Sequence, residues 1–357
     1  MRNTTWKIKT SNQNKSIMLN NFPIDQDILK ILHSRGIVSK KDIINFLDPS
    51  LDNIQPSSLL SDMKKSVDLI IECIKNGKNI WIYGDYDVDG ITSTSILYLA
   101  LKDLGAEFLN YYIPIRDEGY GLNNTALKTI KNSGADLLIT VDCGITSFKE
   151  IEFAKSIGLD VIITDHHDIQ SDKIPNAYSI INPKRTDNAF TFNALAGVGV
   201  AFMLILNLYE KLKTKEEAYV YLDLVAIGTI ADIVPLVKEN RIFAKHGLEK
   251  LLYSENKGLR FLITKLFETA KLEFTTYDVG FVIAPVFNAA GRLKDAKMVV
   301  KLLTSDNDRE IEVISKELIN KNFERRELQT TLVELVEANI QKNNLNDNLV
   351  IVDASSE

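Results

Sequence analysis

From Lys78 to Asn182 the chain alternates short apolar runs with amphipathic stretches, and that alternation leaves few folds open. The runs NIWIYG (79–84), AEFLNYYIP (106–114), ADLLITVD (135–142), LDVIITD (159–165) and AYSIIN (177–182) are rich in Ile, Val, Leu and Tyr, as strands are. Between most of them lie helix-like segments: ITSTSILYLALKDLG, NNTALKTIKNSG and SFKEIEFAKSIG. Each of these ends in glycine, which commonly terminates a helix. Strand and helix in turn predict βαβ units, and so an α/β fold built on a doubly wound, mostly parallel sheet.

The flanks read differently. Residues 1–75 are expected to form an N-terminal helical extension, with DQDILKILHSRG and SDMKKSVDLIIECIKNGK as its helical pieces. Residues 76–235 make up the α/β domain, and 236–305 a helical subdomain that completes the core. A long tract over 306–345 follows, with Ile311, Ile314, Leu318, Leu328, Leu332, Leu335 and Ile340 spaced mostly by three, four or their sums. Its many charges favour a spacer helix over a packed core helix. NLVIVDASSE near the end reads as the first strand of a further domain, over 346–357.

A chain of 357 residues suggests about two domains. It has no apolar run of about 18 residues, so no membrane span is expected. The N-terminus has no signal-like apolar core, and two cysteines are too few for a disulfide framework. These features point to the cytoplasm. The net charge of −6 does not by itself favour a nucleic-acid partner. Such a partner would have to be held locally or through metal ions.

Ligands of parallel α/β sheets bind outside the carboxyl ends of the strands. There the sequence sets Asp85, Asp87 and Asp89 after the first run, Asp142 after the third, and Asp165, His166 and His167 after the fourth. Asp232, within IADIVPL, interrupts an apolar helical stretch and adds a further carboxylate. Hard oxygen donors mixed with one or two imidazoles suit a pair of Mn²⁺ or Mg²⁺ ions. Asp142 is the candidate bridge, because its strand should lie between the other two contributors. Asp87 and Asp89 would share one face of an extended segment and reach adjacent ions, with Gly90 permitting the turn into the following helix. Either His166 or His167 could protonate a leaving group.

Simpler roles compete for each residue. A single Asp after a strand is commonly a helix N-cap, and Asp142 and Asp165 taken alone fit that role. The coincidence of all these carboxylates with two adjacent histidines favours the metal reading. His33 and His246 stand among polar neighbours and read as surface residues. Cys143 has no basic neighbour to activate it and reads as a packing residue. AGVGVAF (196–202) lacks a preceding strand and reads as close helix packing.

In order and spacing, GDYDVDGITS, VDCG, DHH and ADIVPL resemble the motifs of the DHH phosphoesterase superfamily. The segments IPIRDEGYGLN (113–123), DHHDIQ with IINPKR (165–185), LAGVGVAF and FNAAGRL (287–293) resemble more closely its RecJ nucleases. The resemblance implies a manganese- or magnesium-dependent exonuclease of DNA repair and recombination. Such an enzyme degrades single-stranded DNA from its 5′ end and releases 5′-mononucleotides.

The same resemblance implies Asp87, Asp89, Asp142, His166 and Asp232 as metal ligands, with Asp85 beside them. It makes His167 and Asp142 the catalytic residues, and it sets Arg116 and Arg292 against phosphate. Arg116 has the alternative of pairing with Asp117 or Glu118. The implied partners are single-stranded DNA, a single-strand-binding protein and a RecQ-type helicase, with no membrane. Tyr83 stands where some DHH phosphatases carry histidine, which argues against the pyrophosphatase branch. Relatives of this kind continue into a DHH-associated domain and an oligonucleotide-binding barrel. The sequence therefore reads as a catalytic core that alone would hold single-stranded DNA poorly. Two rivals stand beside it: a DHH phosphodiesterase of short oligonucleotides or cyclic dinucleotides, and a non-catalytic DHH-fold scaffold. The second would be expected to lose ligand aspartates that this chain keeps.

Overall fold

In the computed structural model, residues 24–170, 173–292 and 296–342 are described. The expected strand over 346–357 lies outside them, as do the first 23 residues of the N-terminal extension. The strands are β1 (Ile80–Tyr83), β2 (Leu109–Tyr112), β3 (Leu137–Val141), β4 (Asp160–Thr164) and β5 (Ser179–Ile181). They form one sheet in the order β2-β1-β3-β4-β5, and every pairing is parallel. All five expected strands are present.

Parallel strands covered on both faces read as unbroken apolar runs, and β3 is buried at each of its positions. Successive side chains point to opposite faces. Ile82 of β1 therefore joins one core with Val67 of α3 (Met63–Lys75), Leu97 of α4 (Val88–Asp103) and Phe202 of α7 (Gly197–Leu212). Its neighbour Tyr83 joins the other, with Leu127 of α5 (Asn124–Asn132) and Ile151 of α6 (Phe148–Ser156). The sheet is doubly wound, as expected. Cys143 is buried in this second core, a packing residue as the sequence suggested.

Eight further helices are described. They are α1 (Gln26–Ser34), α2 (Lys40–Leu47), α8 (Leu222–Ala231), α9 (Lys238–Leu251), α10 (Lys257–Leu266), α11 (Ala284–Arg292), α12 (Lys297–Thr304) and α13 (Asp308–Lys342). α8 is apolar almost all round and lies buried against α4, α7 and α9, as such a helix must. It ends at Ala231, so Asp232 caps the helix and does not interrupt it.

α13 divides the two roles the sequence offered for it. Ile311, Ile314 and Leu318 are buried on the body of the molecule, whereas Leu328, Leu332 and Leu335 are exposed. Neither His33 nor His246 is a free surface residue. Both are half-buried, and His246 Nε2 lies 3.0 Å from the Pro49 carbonyl. No helix among the described residues is long and apolar enough to cross a membrane.

Candidate metal centre

The strand order reverses direction between β1 and β3, which is the switch point where such sheets form a crevice. β1 leads through Gly84 to Asp85, Asp87 and Asp89, β3 leads to Asp142, and β4 leads to Asp165, His166 and His167. β3 does lie between the other two contributors. Asp232 arrives from the end of α8.

Their ligand atoms fall into three groups within 4.8 Å: Asp85, Asp87 and Asp142; Asp89, His166 and Asp232; and Asp142, His166 and His167. His166 Nε2 lies 3.1 Å from Asp142 Oδ1, 3.8 Å from Asp232 Oδ2 and 3.9 Å from Asp89 Oδ2. Asp142 thus stands between Asp85 and Asp87 on one side and the imidazoles on the other.

Asp87 and Asp89 reach different groups, but not by sharing a face of an extended segment. Asp87 is the N-cap of α4, with its carboxylate accepting from the Gly90 amide at 2.9 Å. Asp89 is already in the first turn of that helix. Its two oxygens accept from the amides of Gly197 at 2.7 Å and Val198 at 2.8 Å, at the start of α7. A helix N-terminus with free amides favours a carboxylate in this position.

Two glycines are needed here for space. Gly90 lies inside α4 and makes no turn; a Cβ on it would come within 2.6 Å of the Asp85 amide nitrogen. A Cβ on Gly197 would stand 2.4 Å from Asp142 Oδ1. AGVGVAF is therefore part of the site and not helix packing alone, and that function escaped the sequence reading. Its one sequence signal is the pair of small residues at a helix start.

Asp142 has a left-handed backbone, φ +60°, a conformation Asp tolerates better than most residues. Both of its main-chain groups are held. Its amide donates to the Thr164 carbonyl at 3.0 Å, and its carbonyl accepts from the Tyr120 hydroxyl at 3.2 Å. The Tyr120 hydroxyl also lies 3.0 Å from His167 Nε2. Tyr120 was legible only as part of GYGLN and was not singled out as a site residue.

Asp165 belongs to the support of the site. It accepts from the amides of Ile145, His166 and His167 and holds His167 Nδ1 at 2.7 Å. Burial pushes the Asp165 carboxyl up, but the His167 hydrogen bond and charge outweigh it and leave it below the usual carboxylate range. Burial likewise works to lower His167, and the Asp165 carboxylate overcomes it, so His167 is raised.

The acid cluster is short of positive charge. Burial, then the neighbouring Asp87 charge, pushes Asp85 up to about 7. Burial and the surrounding carboxylates raise Asp89, Asp142 and Asp232 as well. Burial holds His166 below its usual value, as suits a neutral imidazole ligand. Asp85 Oδ1 and Asp142 Oδ1 are buried without a hydrogen-bond partner. Such oxygens are expensive unless something electropositive meets them. Carboxylate oxygens plus imidazole nitrogen are the donor set of a hard divalent cation, so these residues could hold such ions.

Arg116 lies in a 3-10 turn after β2, and its guanidinium stands 5.0 Å from the centre of the Tyr86 ring. Glu118 is engaged elsewhere, accepting from the Tyr112 hydroxyl at 2.7 Å and the Asn123 amide at 3.1 Å. Arg292 ends α11, and its side chain lies outside the described residues. Tyr83 donates its hydroxyl to the Gly121 carbonyl at 3.0 Å.

The family model described as "DHH family, N-terminal domain" matches residues 79–229. The single-stranded-DNA-specific exonuclease RecJ of Bacillus subtilis (strain 168) is 37% identical over 349 residues, covering 97% of this chain. This chain spans only 43% of that relative's length. A crystal structure of exonuclease RecJ bound to manganese superimposes with a TM-score of 0.70 at 36% identity, over 77% of this chain and 69% of that one. A second, RecJ in complex with Mn²⁺ from Thermus thermophilus, gives a TM-score of 0.72 at 34% identity, over 85% of this chain and 42% of that one. With its motifs at the switch point of a matching sheet, this chain belongs to the DHH family, within its RecJ branch.

Proposed function

We propose that this chain is a divalent-metal-dependent exonuclease that degrades single-stranded DNA from its 5′ end and releases 5′-mononucleotides. The observation that carries this reading is the pair of ligand groups meeting at Asp142, with buried oxygens that lack partners. Likeness to RecJ exonucleases over nearly the whole chain supports the choice of substrate.

In this proposal Asp87, Asp89, Asp142, His166 and Asp232 hold two Mn²⁺ or Mg²⁺ ions, with Asp85 completing the Asp142 side. The bound ions would supply charge neutralisation for the phosphate and a more acidic water for the attack. The α7 amides fix Asp89 and favour its anionic form against the burial that raises it. His167 carries a proton, oriented by Asp165 at Nδ1, and gives it to the departing 3′ oxygen. Arg116, stacked on Tyr86, and Arg292 contact the substrate's phosphates, for which the guanidinium fork is suited. We place the enzyme in the cytoplasm, in DNA repair and recombination, with a single-strand-binding protein and a RecQ-type helicase as partners.

The test is digestion of 5′-labelled single-stranded and duplex DNA with Mn²⁺. Labelled mononucleotide should appear first and from the single strand only. Asp142→Ala should abolish release while leaving the circular dichroism spectrum unchanged. Cleavage that survives EDTA, or that starts at the 3′ end, would overturn the reading.

A further inference from the structure

The carboxyl edge of the sheet carries an ordered row of charges. Across the strands, β2 leads to Arg116, β1 to Asp85 and Asp87, β3 to Asp142, β4 to His166 and His167, and β5 to Lys184 and Arg185. Cations stand at both ends and the acid cluster lies between them. Four strand spacings of about 4.8 Å make the row roughly 19 Å long. That is about five to six phosphate steps at the ~3.4 Å rise of a stacked strand.

The two cations at the β5 end differ in what already holds them. Arg185 is fully engaged: it donates to Asp62 at 2.7 Å, to the Ile180 carbonyl at 2.6 Å, and to Asp187 through two nitrogens at 2.9 and 2.7 Å. Lys184 has one ion-pair partner among the described residues, Asp168 at 2.8 Å. The Asp168 side chain is 90% exposed. An exposed pair of that kind is weak, so a phosphate can take the ammonium from it.

Lys184 lines a cavity of about 670 Å³ whose wall also includes His166, Leu195, Val234 and Pro235. Its backbone is tied to the reaction site. The Lys184 amide donates to the Asn182 side-chain oxygen at 2.8 Å, and Asn182 Nδ2 donates to the His167 carbonyl at 3.1 Å. IINPKR therefore sets a loosely held cation at a fixed place beside the metal centre.

We infer that Lys184 binds a phosphate of the single strand beyond the scissile bond, so that the strand runs from Arg116 across the acid cluster into the cavity that Lys184 lines. This deepens the exonuclease reading and rests on it. Arg116 stands at the 5′ end of the track, and Lys184 measures whether several nucleotides follow.

The experiment compares Mn²⁺-dependent hydrolysis of a 5′-phosphorylated deoxydinucleotide and a deoxyhexanucleotide by the 357-residue chain. Lys184→Gln should raise KM for the hexanucleotide about tenfold, the effect of one charge-assisted hydrogen bond. The dinucleotide, too short to span the row, should show less than a twofold rise. The slope of log KM against log salt for the hexanucleotide should fall by about 0.7, one phosphate contact on a single strand. Lys184→Arg should restore both. Asp168→Asn, which releases the lysine, should lower the hexanucleotide KM.

If the Lys184–Asp168 pair only held the loop, Lys184→Gln and Asp168→Asn would shift KM in the same direction and for both substrates alike. That pattern, or an unchanged salt slope, would overturn the inference. Fluorescence anisotropy with the same labelled hexanucleotide separates the two ideas. Binding that depends on Lys184 without hydrolysis would count against the exonuclease reading alone. Binding indifferent to Lys184→Gln, or no binding at all, would count against the strand path.

Discussion

Individual residues here do work that their neighbours in sequence do not announce. Asp85, Asp87 and Asp89 stand at alternate positions, yet each has a separate environment. Asp85 is buried with an unpartnered oxygen, Asp87 caps α4, and Asp89 is held by two amides from more than a hundred residues away. A buried carboxylate outside this site gives a clean pH test. Asp223, at the start of α8, is pushed up to about 6 by burial, although Ser254 and the Leu224 amide donate to it. Its folded value lies above the unfolded 3.8, so ionisation is penalised in the folded state. The penalty is absent below pH 3.8, grows as pH rises and is complete above about 6. Asp223→Asn should therefore gain stability relative to the parent between pH 4.5 and 7.5. Melting temperatures of both proteins at the two pH values check this, and a parallel pair of curves would contradict it.

At the scale of elements, helix ends matter more to the site than helix bodies. The start of α4 supplies Asp87 and Asp89, the start of α7 supplies two amides, and the end of α8 supplies Asp232. All three termini converge where the sheet changes direction, and a helix body could offer neither free amides nor a cap. α13 shows the opposite case, an element whose two halves meet different surroundings. Leu318 is fully buried, whereas Leu332 is 37% exposed. Leu318→Ala should cost about 2–5 kcal/mol in urea unfolding, and Leu332→Ala less than about 1 kcal/mol. Equal losses would mean that the far half of the helix is packed as firmly as the near half. The heptad-like spacing is the same in both halves, so spacing alone could not tell them apart.

Taken whole, the molecule assembles one centre from residues between Asp85 and Asp232, and that spread has a thermodynamic consequence. The unfolded chain cannot present these ligands together, so a cation that binds there stabilises the folded state by mass action. At a concentration of about 100 times Kd, Mn²⁺ should add about 2.7 kcal/mol and raise the melting temperature by a few degrees. Calorimetry with Mn²⁺ and then EDTA checks this; Asp142→Ala should show no such rise. The five strands, the doubly wound class and the placing of acids at strand ends were all legible in the sequence. Periodicity and strand-end position are local properties, set by the alternation of side chains along a buried sheet. Tertiary structure alone decided that Asp89 rests on α7 amides, that Gly90 and Gly197 clear space and turn nothing, and that Tyr120 joins His167 to Asp142. It also decided that Arg116 and Lys184 end the same row of charges. Those facts depend on contacts between residues far apart in the chain, and no local pattern carries information about which distant backbone will arrive.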